Sequence, residues 1–166
     1  MGNTSEIKDL IHGIKLLSCD VDGVMTDGGL YYDEVGREIR RFHVLDGLGI
    51  QNLMMEGVQV CIISRSSTKS IEHRAKSLGI LHCYLGVKSK IECMENLLIE
   101  LGISLHEVAH IGDDLNDLEL MKAVGLPITV PKGIKEIKEI AKFITEKHGG
   151  DGAVREVTDL LLQNRK

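Results

Sequence analysis

The sequence predicts an α/β fold of Rossmann-like type, a doubly wound and mostly parallel sheet with helices on both faces. Three observations carry this. Short apolar runs rich in Ile and Val alternate with longer amphipathic segments, as in successive βα units. Acidic and polar residues fall directly after several of the apolar runs, where such a sheet has its ligand-binding edge. With 43% hydrophobic and 27% charged residues, the chain has the composition of an ordinary globular protein.

Taken in order, the strands are Ile14–Cys19, Val58–Ile63, His82–Leu85 and Glu107–Ile111, with a weaker pair at Leu126–Val130 and Lys142–Thr145. Each is a short apolar stretch of strand length. Between them the amphipathic segments predict helices over Gly47–Glu56, Ser67–Leu78, Lys90–Leu101, Asp114–Ala123 and Ile134–Ile140, and a last one over Ala153–Gln163. One segment breaks the alternation, GGLYYDEVGREIRRFHV from Gly28 to Val44. Strand formers flank its central DEVG, so it reads as a β-hairpin insertion. An isolated hairpin is marginally stable. It must lie on its own domain or pair with another subunit, and the second is expected.

At 166 residues, the chain fits one domain, 1–166, with the hairpin inserted at about 28–44. The net charge of -5 and 3% aromatic content argue against nucleic acid as a partner. A small-molecule ligand fits better. The four cysteines, Cys19, Cys61, Cys83 and Cys93, show no C-x-x-C spacing and suit a reducing compartment. No apolar run reaches the roughly 18 residues of a membrane span, and MGNTSEIKDLIHG has no apolar centre of a signal peptide. The expectation is a cytoplasmic protein that does not bind membranes.

The first strand ends in an unusual way, with Asp20 and Asp22 one residue apart in CDVDG. In extended backbone, residues i and i+2 share a side. Two carboxylates about 4 Å apart repel by roughly 4 kcal/mol at an effective dielectric near 20, against a domain stability of about 5–15 kcal/mol. A shared proton, a bound cation or solvation in a wide loop would each offset this. The same sheet edge receives Ser64 after the second strand, Lys90 before a helix, and Asp113, Asp114 and Asp117 of GDDLND after the fourth strand. Singly, each is a solvated turn, a cap or a charged face. Together, in this order, they form the set that phosphoryl transfer needs. A carboxylate can accept the phosphoryl group, and Mg²⁺ takes oxygen ligands and neutralises acids and phosphate together. A hydroxyl and an ammonium hold the phosphoryl oxygens.

DVDGV, the hydroxyl after the second strand, the later lysine and GDDLND resemble the four motifs of haloacid dehalogenase superfamily phosphatases. Over nearly the whole chain, DVDGVMTDGGLYYDEVGREIRRFHVLDGLGI, the spacing to GDDLND and HGGDGAVREVTDLLL are similar to one branch. That branch comprises the 3-deoxy-D-manno-octulosonate 8-phosphate phosphatases, with nonulosonate 9-phosphate phosphatases close by. The resemblance implies hydrolysis of a 3-deoxy sugar-acid phosphate, with Asp20 as nucleophile and Asp22 as acid, then base. It implies Mg²⁺ held by Asp20, the backbone carbonyl of Asp22, and Asp113, with Asp114 and Asp117 in support. Ser64 would bind phosphate and Lys90 would pair with nucleophile and phosphate. Members of the branch lack a large cap domain and form tetramers, in which the hairpin and the C-terminal tail shape a neighbour's site. Here that points to Gly28–Val44 and to GGDGAVRE with Arg155.

The match departs after the second strand, where the family commonly has T-G-R and this chain has Ser64-Arg65-Ser66. The third position often faces the sugar, so Arg65 and Ser66 bear on the choice of substrate. Arg74 matches a family arginine that contacts substrate, and an arginine fork suits a sugar-acid carboxylate. The seven histidines are not expected to form a zinc site, and Cys19 reads as a buried strand residue. Arg37, Arg40 and Arg41 divide between a solvated face and a funnel for an anion. A receiver domain is disfavoured because its acceptor lies on the third strand, and a non-catalytic assembly domain because every motif acid is present.

Overall fold

The computed structural model describes residues 10–163; the reading of residues 1–9 as free of an export signal lies outside them. In chain order the strands are β1 (Leu16–Cys19), β2 (Tyr31–Tyr32), β3 (Glu38–Ile39), β4 (Gln59–Ile63), β5 (His82–Tyr84), β6 (Val108–Ile111), β7 (Leu126–Thr129) and β8 (Phe143–Ile144). The helices are α1 (Val44–Met55), α2 (Lys69–Leu78), α3 (Lys90–Leu101), α4 (Leu118–Ala123), α5 (Lys135–Ile140) and α6 (Ala153–Gln163). Six strands form one parallel sheet of order β5-β4-β1-β6-β7-β8. A separate antiparallel pair, β2-β3, is the predicted hairpin.

Alternation along the strands feeds two apolar layers. Leu17 and Cys19 of β1, with Val60 and Ile62 of β4, pack among residues of α1, α2 and α6. Leu16, Cys61 and Ile63 face the other way, onto Met94, Leu97 and Leu98 of α3 and Leu120 of α4. Helices therefore cover both faces, as a parallel sheet requires. The layer between α1 and α6 is tight at Gly49, where a Cβ would overlap Thr158 and Arg155. Among the described residues no helix is long and apolar enough to cross a membrane, and there is no large cap domain.

The differences from the sequence reading have local causes. Helix α2 begins at Lys69, not Ser67, because the hydroxyls of Ser66 and Thr68 lie 2.8 Å apart and Ser66 Oγ accepts the Thr68 amide at 3.3 Å. The predicted helix over Asp114–Ala123 is split into a 3₁₀ turn, Leu115–Asp117, and α4. Asp114 and Asp117 form a reciprocal capping box across that turn. Glu107 leaves the sixth strand for a similar box with Ser104. The hairpin pairs over two residues a side, and Val44 opens α1 instead of closing it. Its base is fixed to its own domain by a Thr26–Phe42 bridge and by Arg41 Nη1, which donates to the Gly150 carbonyl at 3.1 Å. Tyr32, Val35 and Ile39 on its outer part are exposed.

Candidate active site

Strand β1 lies at the switch point of the sheet: β4 pairs on one side of it and β6 on the other, and the connections diverge. The crevice at its carboxyl end is where the acids converge. Asp20 leaves the strand with its amide donating to the Ile111 carbonyl at 2.9 Å, so its position is tied to β6. The chain then turns, and the Val21 carbonyl accepts from the amides of Met25 and Thr26 at 2.9 and 3.0 Å. At Gly23 φ is 87°, and a Cβ there would overlap the Asp113 carboxylate. Glycine satisfies both demands.

From α3, Lys90 reaches back into the crevice. Its Nζ stands 2.7 Å from Asp20 Oδ1 and 2.6 Å from Asp117 Oδ1, with only 1% of the side chain exposed. Asp117 Oδ1 also accepts from His110 Nε2 at 2.9 Å. Its Oδ2 faces the amides of Asp113 and Asp114 at 3.3 and 3.5 Å. Because a carboxylate only accepts, His110 carries its proton on Nε2, and Nδ1 accepts from Ser18 Oγ at 2.9 Å. This buried chain runs Ser18, His110, Asp117, Lys90, Asp20.

Burial and the Asp117 charge push the Asp20 carboxyl up to about 6, against the pull of Lys90. Burial, with Asp20 and Asp117 close by, pushes Asp113 up to about 7. Asp117 is also raised by burial, but its hydrogen bonds from His110 and Lys90 prevail and hold it below the ordinary carboxylate value. Burial lowers His110, in keeping with the neutral tautomer. One oxygen each of Asp20, Asp113 and Asp117 lies within 4.8 Å of the others. The oxygens of Asp117 are already committed, which leaves Asp20 and Asp113 as acids short of positive charge. A hard divalent cation fits that deficit.

The mouth above these acids is a cavity of about 140 Å³ bounded by Asp22, Ser64, Arg65, Ser66, Asp114 and Asn116, with Asp20 and Asp113 at its base. Ser64 is buried and its Oγ accepts the Ser66 amide at 3.1 Å. Thus the structure gathers Asp20, Asp22, Ser64, Arg65, Ser66, Lys90, Asp113, Asp114 and Asp117 at one edge. Arg74 lies elsewhere, with Nη2 donating to the His43 carbonyl at 2.9 Å and its guanidinium 5.7 Å from the Phe42 ring centroid. Arg155 pairs with Asp159 at 2.8 Å and borders a separate groove of about 510 Å³ with His43 and Asp151. Two residues at the site were not singled out from sequence. His110 sits in the apolar run VAHI, where a histidine inside a buried strand is itself a signal. Arg40, read as half face and half funnel, is buried against Asp22.

A 3-deoxy-D-manno-octulosonate 8-phosphate phosphatase of Yersinia pestis is 44% identical over 149 residues, spanning 90% of this chain and 80% of that protein. The chain belongs to the 3-deoxy-D-manno-octulosonate 8-phosphate phosphatase family. The family model for haloacid dehalogenase-like hydrolases matches residues 85–157, the segment that carries Lys90 and GDDLND. Among solved structures of this phosphatase family, that of the Moraxella catarrhalis protein, in complex with magnesium, phosphate and KDO, matches with a TM-score of 0.96 at 40% identity. The match covers 98% of this chain and 94% of that one. The cobalt-bound Haemophilus influenzae phosphatase matches with a TM-score of 0.90 at 37% identity, covering 94% and 91%.

Proposed function

We propose that the protein hydrolyses 3-deoxy-D-manno-octulosonate 8-phosphate with Mg²⁺, through an aspartyl-phosphate, in lipopolysaccharide or surface-polysaccharide synthesis. The observation that carries this is Asp20, 2.7 Å from the buried Lys90 ammonium at the base of a cleft that also presents Asp22, Ser64 and Asp113. The kinship with octulosonate phosphatases supports the substrate.

In this reading Lys90 holds Asp20 and a phosphoryl oxygen, while Ser64 and nearby amides receive the remaining oxygens. An oxygen of Asp20 bonds to phosphorus and the phosphorus bond to the sugar oxygen breaks. The leaving oxygen keeps the electron pair and takes a proton from Asp22. Water then bonds to phosphorus and gives a proton to Asp22, and the bond from phosphorus to Asp20 breaks. Mg²⁺ held by Asp20, Asp113 and the Asp22 carbonyl supplies positive charge for the acids and the phosphoryl group. Asp114 and Asp117 support it by fixing the turn that carries Asp113.

Arg65 and Ser66, which line the mouth, would face the sugar acid from this protomer. A homotetramer is part of the proposal. The exposed outer hairpin, with Tyr32, Val35 and Ile39, meets a neighbour, and Arg155 in its groove borders a neighbour's mouth. Closure by another subunit excludes water from a site with no cap of its own. Arg74 supports the entry to α1 through the His43 carbonyl. The setting is the cytoplasm.

Because Ser64-Arg65-Ser66 departs from the family triplet, the second reading is a nonulosonate 9-phosphate or a broader sugar phosphate as substrate. Phosphate release from the octulosonate and nonulosonate esters, with Mg²⁺ and with a chelator, separates the two. Mg²⁺-dependent preference for the octulosonate ester is expected. Preference for the other would move the substrate, and no release from either would overturn the proposal.

A further inference from the structure

Arg40 directly follows β3 on the hairpin, yet its side chain is only 3% exposed. Its guanidinium forks onto Asp22, with Nε 2.8 Å from Oδ1 and Nη2 3.1 Å from Oδ2. Nη2 also donates to Ser66 Oγ at 2.9 Å, and Nη1 pairs with Glu38 at 2.5 Å. Glu38 in turn accepts from Thr68 Oγ1 at 3.4 Å. One buried cation therefore joins three segments: the hairpin, the loop after β1 and the loop after β4.

An arginine whose work was solubility would snorkel its charge into water. Burying a guanidinium is costly unless planar, charge-assisted bonds offset it. A bidentate fork also fixes the plane of the carboxylate it grips, which a lysine's point charge does not. The Asp22 carboxylate, 38% exposed at the mouth, would otherwise rotate among its rotamers.

We propose that Arg40 is a positioning residue for Asp22, holding the acid–base carboxylate in the orientation that proton transfer needs and making that orientation depend on a docked hairpin. This rests on the reading of Asp22 as acid and base given above. Proton transfer requires hydrogen-bond reach between donor and acceptor, and small displacements of a catalytic group cost rate steeply.

The test uses the leaving group. A sugar ester leaves as an alkoxide that needs the proton of Asp22, whereas p-nitrophenolate leaves without one. With R40A, kcat/KM on the sugar-acid phosphate, which covers the steps up to departure of the sugar and not the later aspartyl-phosphate hydrolysis common to both esters, is expected to fall about 10–100-fold, a part of the roughly 10²–10⁴-fold that general acid–base catalysis supplies. The loss of kcat/KM on p-nitrophenyl phosphate should be smaller by about tenfold or more. R40K, which keeps the charge without the fork, should fall between wild type and R40A. Losses of kcat/KM in equal proportion on both esters would overturn the proposal. If R40A does not fold, R40K carries the same comparison. Wild-type failure on every sugar-acid phosphate would remove the proposed substrate, and any alkyl phosphate that is hydrolysed then serves the Arg40 test.

Discussion

Lys90 Nζ lies 2.7 Å from Asp20 Oδ1, the two side chains 1% and 6% exposed. The pair stabilises the site only while both partners are present, because an unpaired buried charge has neither solvent nor counter-ion.

K90M should therefore lose turnover and also stability. Leaving Asp20 and Asp117 without their shared cation is expected to cost about 3–5 kcal/mol near neutral pH. Urea unfolding of K90M beside wild type, both without metal, measures it. Unchanged midpoints would show that the lysine is not a structural counter-charge.

Asp20 and Asp113, raised from 3.8 to about 6 and about 7, make metal binding pH-dependent. Between the ordinary and the raised values the folded, metal-free protein holds more protons than the unfolded chain, so these groups reduce its stability as pH rises through that range. Mg²⁺ must displace those protons. Its affinity should rise with pH through 6 to 7, and its thermal stabilisation should be larger at about pH 7.5 than at about pH 5. Melting curves with and without Mg²⁺ at the two values would show the trend, and an equal shift at both would contradict it.

Substituting Gly23 should act on the metal more than on the fold. G23A places a methyl group against the Asp113 carboxylate at a φ of 87°. Isothermal titration should show Mg²⁺ affinity reduced at least about tenfold, since fixed ligand geometry is what a hard cation site depends on. Wild-type affinity in G23A would mean that Asp113 is not a ligand.

His110 offers a test of the buried chain. H110F keeps most of the volume and strands both Ser18 Oγ and one contact of Asp117 Oδ1. A loss of about 1–3 kcal/mol in denaturant unfolding is expected from buried polar groups left unpaired. Gln, which can still donate to Asp117, should recover part of it.

The sheet was legible in the sequence because strands buried on both faces leave uninterrupted Ile and Val runs, and LLSC, QVCII and VAHI all lie within predicted strands. The clustering of Asp20, Ser64, Lys90 and Asp113 was legible too, since βα order alone sends strand ends to one edge. The contacts of Arg40 were not. Neighbouring Arg37, Arg40 and Arg41 look alike as residue types, and only the docking of the hairpin buries one while Arg37 stays 80% exposed. Nor was the placement of Arg74, whose helical position gave its spacing but not the packing that turns its guanidinium onto Phe42.

The order β5-β4-β1-β6-β7-β8 places β1 between strands that come much later in the chain. Neither Asp20 with Lys90 nor Asp20 with Asp113 can meet until these distant segments have paired, and such non-local closure is slow. Helices form locally and early by comparison. Recovery of hydrolysis after dilution from denaturant should thus trail the return of helical circular dichroism, and the enzyme's own turnover becomes a clock for the last stage of its folding.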